Sequence, residues 1–330
     1  MFGYAPSRTS SPPSKLQIIT LSDPPSTIDL FTKLSKQHDY AYLLESMEGP
    51  HKLAQYSFIG FDPRLVIRVK NGELEVNDRA EHSATRETVT DPLPRVKQVL
   101  EGGFIPFTGL RFIGGAVGYV SYDAIRYWED LPRIARDDLD FPDIELAVYD
   151  DGVVFDHRNQ TTVYYHSARD RSQDLNRLMQ RPVDSQPLTY TEPVTNLSKD
   201  RFEGEVERAK EAIAAGDILQ VVLSKRYEFT VRGDLLQFYR ALRRINPSPY
   251  MYFLKMKDRQ VVGSSPEMLV RVENGVVETY PIAGTRPRVV DWPGTTWEGW
   301  LSLAAFTFPS SWRSMSTATS STSSHGSLAN

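Results

Sequence analysis

Apolar and polar residues alternate along several short stretches of the chain and recur every three or four positions in others. KLQIITL (15–21) predicts a strand. In STIDLFTKLSKQ (26–37), Ile28, Phe31 and Leu34 fall on one face of a helix, and Ser26 stands where an N-cap is needed. YAYLLES (40–46) and YSFIGFD (56–62) are β-rich. RLVIRVKNGELEVND (64–78) holds two alternating runs joined by Asn71-Gly72. That pair suits the positive φ angles of a type I′ turn, so the stretch predicts a hairpin. Asp151-Gly152 sits the same way between IELAVYD and VVFDH, and Asn274-Gly275 between MLVRVE and VVETY.

Beyond residue 180 the pattern pauses. Residues 181–197 are rich in Pro, Ser and Thr and read as a linker. Ser198 then caps an amphipathic helix with Phe202, Val206, Ala209 and Ile213 on one face, and Gly216 ends it. DILQVVLSKRYEF (217–229) predicts an apolar strand, and GDLLQFYRALRRIN (233–246) a second helix capped by Asp234. Hairpins with helices between them imply antiparallel sheets packed with helices, an α+β fold and not a doubly wound one. The expected divisions are a disordered lead (1–14), a first domain (15–180), the linker, a second domain (198–288) and a tail (289–330).

Composition narrows the function. The chain of 330 residues has room for two domains, and its net charge of −4 offers no footprint for nucleic acid. It has no cysteine, which excludes disulfide scaffolds and thiolate metal sites. The N-terminal stretch lacks a signal-peptide core, and no apolar run reaches the roughly 18 residues of a membrane span. The expectation is a cytoplasmic protein. The six His, at 38, 51, 82, 157, 166 and 325, show no ligand spacing. GGAVGYV (114–120) lacks the Lys-Ser/Thr of a phosphate loop and reads as a close-packed strand and turn.

Five stretches in order carry a family resemblance: LLES (43–46), YSFIGFDP (56–63), GGAVGYVSYD (114–123), GDILQVVLSKR (216–226) and GSSPEMLVR…YPIAGTRPR (263–288). Together they resemble component I of anthranilate synthase, a chorismate-utilising enzyme, over about three quarters of the chain. The resemblance implies a regulatory first domain and a chorismate-binding second domain. It also implies that Leu44, Glu45 and Ser46, with Asn246, Pro247, Ser248, Pro249, Tyr250 and Met251, frame a site for inhibitory tryptophan. Two prolines make a stiff wall, Tyr250 an aromatic face, and Ser46 a polar end. Ala283, Gly284 and Thr285 would line the substrate pocket, with Glu267 and Gln220 as further candidates. Glu267 reads as a carboxylate on a buried strand that supports the pocket or pairs with Arg271 or Arg286. Ala283 stands where the related aminodeoxychorismate synthase carries a nucleophilic Lys. A methyl group cannot attack the ring, so nitrogen must arrive as ammonia, supplied by a glutamine amidotransferase subunit. Aminodeoxychorismate synthesis, isochorismate synthesis and a non-catalytic tryptophan-binding module are the other readings.

The resemblance stops at Arg288. Sixteen of the 42 residues that follow are Ser or Thr, and four of the five Trp lie there. Such a stretch is too rich in Trp for ordinary disorder and has no period of its own. Read from the third base of each codon, residues 291–300 permit Leu-Ala-Arg-Asn-Asp-Val-Gly-Arg-Val, the family's continuation. The tail therefore reads as out-of-frame. The Glu side chains that the family uses to hold Mg²⁺ fall in the missing parts, so no metal ligand is expected in this chain, and the second domain is expected to be incomplete and inactive.

Overall fold

The computed structural model describes residues 16–47, 55–101, 110, 112–273 and 275–279. It contains two compact units. One is built from the described parts of 1–196 and 226–266, the other from 197–225 and 267–330. Residues 226–266, which the sequence groups with the second domain, thus pack with the first unit.

Among the described residues the first unit carries two large antiparallel sheets and two small two-stranded ones. The larger runs in the order β1 (Gln17–Thr20), β10 (Thr161–His166), β9 (Asp151–Asp156), β3 (Tyr56–Phe61), β2 (Tyr40–Glu45), β15 (Tyr250–Met256), β16 (Arg259–Ser265). The smaller runs β6 (Ser83–Thr88), β5 (Glu73–Asp78), β4 (Leu65–Lys70), β8 (Ile144–Tyr149), β7 (Gly115–Val120). Side-chain alternation explains how they stack. Ala41 and Leu43 of β2, with Met251 and Phe253 of β15, face α1 (Thr27–Gln37), α3 (Ser172–Met179) and α5 (Leu236–Ile245). Tyr40, Tyr42, Leu254 and Met256 point the other way and pack on Val66, Val117, Ala147 and Tyr149 of the smaller sheet. That sheet's far face is covered by α2 (Leu93–Glu101) through Val96. An ion cluster ties the sheets together: the fully buried Glu145 on β8 binds Arg68 Nε of β4 at 2.8 Å and Arg259 Nη2 of β16 at 2.9 Å.

The 64–78 hairpin forms as the sequence predicts, with Asn71 at φ 51° and Gly72 at φ 78°. The Asp151-Gly152 hairpin does not. β8 and β9 lie in different sheets, and Asp151-Gly152 opens β9. Gly152 serves close approach and not a turn: a Cβ there would lie 2.6 Å from the Ile59 carbonyl oxygen. β9 instead forms a hairpin with β10. The 181–197 stretch contains two short strands, β11 (Thr189–Tyr190) and β12 (Val194–Thr195). They pair with β14 (Val231–Arg232) and β13 (Tyr227–Glu228).

The second unit contains α4 (Lys199–Ala215) and the hairpin of β17 (Arg271–Glu273) and β18 (Val276–Glu278). Ser198 caps α4 by accepting from the Arg201 N–H, and Gly216 ends it at φ 81°. Residues 217–226 form no strand. An apolar run becomes a strand only beside a partner edge that takes its backbone groups, and none among the described residues does so. No helix among the described residues is long and apolar enough to cross a membrane.

Candidate functional site

Two of the sequence motifs meet. β2 and β15 are adjacent antiparallel strands, with Glu45 opposite Met251 and Leu44 opposite Tyr252. Beyond the strand ends the Met47 N–H donates to the Ser248 carbonyl at 3.0 Å, which extends the pairing into the 246–249 turn. The turn follows α5 directly. The Asn246 N–H closes the helix on the Leu242 carbonyl at 2.9 Å, and the Ser264 hydroxyl of β16 donates to the Asn246 carbonyl at 2.7 Å. Pro247 and Pro249 stiffen the segment by fixing φ. Ser248 is buried and Tyr250 half-buried. The Oγ atoms of Ser46 and Ser248 are both buried, and neither has a hydrogen-bond partner among the described residues. Leaving a buried hydroxyl unpaired costs roughly 1–3 kcal/mol, so two such groups flanking one backbone bond are notable.

Glu45 is placed differently from its neighbours. It continues the face of Ala41 and Leu43, toward α5, whereas Leu44 packs between the sheets. Tyr239 Oη donates to Glu45 Oε2 at 2.8 Å and Arg243 Nη2 to Oε1 at 3.1 Å, with Arg243 Nε 3.0 Å from Oε2. The Ser57 hydroxyl donates to Oε1 at 3.3 Å, and His157 Nε2 lies 2.7 Å from the same hydroxyl. A hydroxyl has one proton. A Ser57 that gives it to Glu45 accepts from His157 Nε2–H. Burial, then the Glu45 charge, push the Tyr239 phenol well above its ordinary pKa, so it stays a donor. The sequence reading missed Tyr239, Arg243, Ser57 and His157. The first two are four residues apart on a strongly amphipathic helix, a spacing that puts them on one face.

The catalytic candidates fare otherwise. Ala283, Gly284 and Thr285 lie outside the described residues. Glu267 is exposed and sits past the end of β16 and not on a buried strand, and Arg271 pairs with Glu278, its Nε 2.8 Å from Oε2. Gln220 is exposed in the irregular 217–226 stretch. Among the described residues no group of three or more His, Asp or Glu is placed to hold a metal. A cavity of about 690 Å³ lies elsewhere, between the β3–β4 and β5–β6 turns. Three of its four arginines are committed to aspartates: Arg64 to Asp150, Arg79 to Asp62, and Arg171 to Asp62 and Asp151.

Residues 39–291 match the family model described as chorismate binding enzyme. The chain belongs to that family. Among chorismate binding enzymes it is 42% identical over 262 residues to "Anthranilate synthase component 1" of Methanothermobacter marburgensis, covering 79% of this chain and 55% of the relative. It is 38% identical to the Pseudomonas aeruginosa protein of the same name, covering 84% of this chain and 60% of the relative. The crystal structure of anthranilate synthase component I from Streptococcus pneumoniae is similar in fold, with a TM-score of 0.57 at 33% identity, covering 70% of this chain and 54% of that one. The α+β architecture is therefore that of its relatives. The chain spans about half the length of the relatives it matches.

Proposed function

We propose that this chain is the regulatory half, with part of the catalytic half, of an anthranilate synthase component I. In the full-length reaction chorismate accepts ammonia, delivered by a glutamine amidotransferase subunit, and loses pyruvate to give anthranilate. The names of the relatives support this reading, as does Ala283, which has no amine with which to attack the ring. L-Tryptophan is the proposed inhibitor, bound between LLES and NPSPYM. The observation that carries the regulatory role is the junction of these motifs, with the Ser46 and Ser248 hydroxyls buried at it and unpartnered among the described residues. A ligand with polar groups at one end of a flat apolar ring would satisfy both.

The chain as it stands is proposed to be inactive. The family's Mg²⁺ would polarise the substrate when bound, but the described residues offer no cluster fitted to it. The family match ends at residue 291, which supports reading the remaining tail in another frame. The nucleotide sequence around codon 288 tests that directly, since a shifted frame without the family continuation ends the idea.

Two measurements test the functional reading. Calorimetry with L-tryptophan is expected to show saturable binding to the chain, and absence of heat from the folded protein overturns the regulatory role. Anthranilate fluorescence with chorismate and ammonium is expected to be absent for this chain and present once the tail is restored to frame. Aminodeoxychorismate or isochorismate as the product of the restored protein would move the assignment to a sister activity.

A further inference from the structure

The tryptophan-binding motif as read from sequence includes Glu45, and a carboxylate beside a bound amino acid invites the assumption that it grips the ligand's ammonium. The geometry argues against this. The Glu45 side chain is 1% exposed, and its two oxygens already accept from Tyr239, Arg243 and Ser57 while Arg243 Nε sits at ion-pair distance. A buried carboxylate with a guanidinium on both oxygens is neutralised where it stands. Its donors come from α5 and β3, on the helix side of the sheet, while the adjacent Leu44 packs on the other side. Arg243 is also the last-turn residue of the helix that leads directly into the 246–249 turn.

We infer that Glu45 is a positioning residue. Its carboxylate fixes the C-terminal turn of α5 against the end of β2 through Tyr239 and Arg243, and so sets the spacing between Ser46 and Ser248, without touching the ligand. The ligand's ammonium then finds its acceptors among hydroxyls and backbone carbonyls. This rests on the tryptophan reading above. Glu45 is thus the motif residue that does not touch the ligand, and Tyr239 and Arg243 are the two α5 residues on which the site depends.

The test compares two probes, L-tryptophan and indole-3-propionate, which lacks the ammonium. Calorimetry on the full chain gives Kd for both with the wild type, Glu45→Gln, the double variant Glu45→Gln/Arg243→Met and Tyr239→Phe. A positioning role weakens both probes by a similar factor, on the order of tenfold (about 1.4 kcal/mol) for Glu45→Gln, and leaves their ratio unchanged. The double variant removes both charges together, so no unpaired ion is left buried even if the single variant folds poorly. Tyr239→Phe keeps the ring and the ion pair and is expected to weaken both probes less, again in parallel. Loss of L-tryptophan affinity alone would show direct contact with the ammonium and overturn the inference. Unchanged affinity for both would reduce Glu45 to a core residue and overturn it equally. A wild type that binds neither probe sinks the tryptophan reading itself, a result distinct from both.

Discussion

Asp151 begins β9 with its carboxylate buried, accepting from the Tyr164 hydroxyl at 2.9 Å and lying 3.7 Å from Arg171 Nε. Burial is the largest influence and pushes its pKa up to about 6, against the pull of Arg171 and Tyr164. The folded state therefore holds this proton more tightly than the unfolded chain does. Its contribution to stability is complete below the unfolded value of 3.8 and is lost as pH rises through about 6. The full swing is on the order of 3 kcal/mol. Asp151→Asn keeps an acceptor for Tyr164 and removes the titration. Urea midpoints measured from pH 4.5 to 7 are expected to fall with pH more steeply in the wild type than in the variant. Parallel pH profiles for the two would show that Asp151 does not titrate in this window.

Element boundaries show where sequence was enough and where it was not. α1 begins as its pattern predicts. The Asp29 N–H donates to Ser26 Oγ at 3.2 Å, and the hydroxyl donates on to Asp29 Oδ2 at 2.7 Å. Arg240 of α5 reaches Asp29 Oδ1 at 2.7 Å. Burial raises the Asp29 pKa, but hydrogen bonds from Arg240 and Ser26 outweigh it and hold the carboxyl below its ordinary value. Ser26→Ala is expected to cost about 1 kcal/mol in chemical denaturation, and Ser26→Gly only a few tenths. No loss in either variant would mean that the Ser26 cap contributes nothing. Caps and hairpin turns are local, and so they were legible: Ser26, Ser198, Asn71-Gly72 and Gly216 all act as their residue types suggest. Asp151-Gly152 has the same local chemistry, but the strands flanking it have better partners in two different sheets, a choice no local signal records. The same limit explains the pairing of LLES with NPSPYM. LLES and NPSPYM were found as motifs, yet the face on which Glu45 lies depends on its alternation with Ala41 and Leu43 and on where α5 packs. Tyr239 and Arg243, almost 200 positions from Glu45, become its partners only through that packing.

At the scale of the molecule, the two units differ in how they handle apolar surface. In the first unit β2 is covered on both sides, by helices and by the second sheet. In the second unit α4 has no buried residue, and Leu219 (96% exposed), Val222 (79%) and Leu269 (87%) face solvent. Single exposed apolar side chains are ordinary, but several within one small unit favour dye binding and self-association. The combined change Leu219→Ser, Val222→Thr and Leu269→Ser therefore removes sticky surface without removing packing. It is expected to lower the fluorescence of a bound hydrophobic dye and to raise the concentration at which the chain associates in sedimentation. The unfolding midpoint of the first unit should stay put, since exposed substitutions usually fall within about 0.5 kcal/mol. A clear drop in that midpoint would mean these side chains are covered in solution. The expectation of an incomplete second domain would then have to be given up.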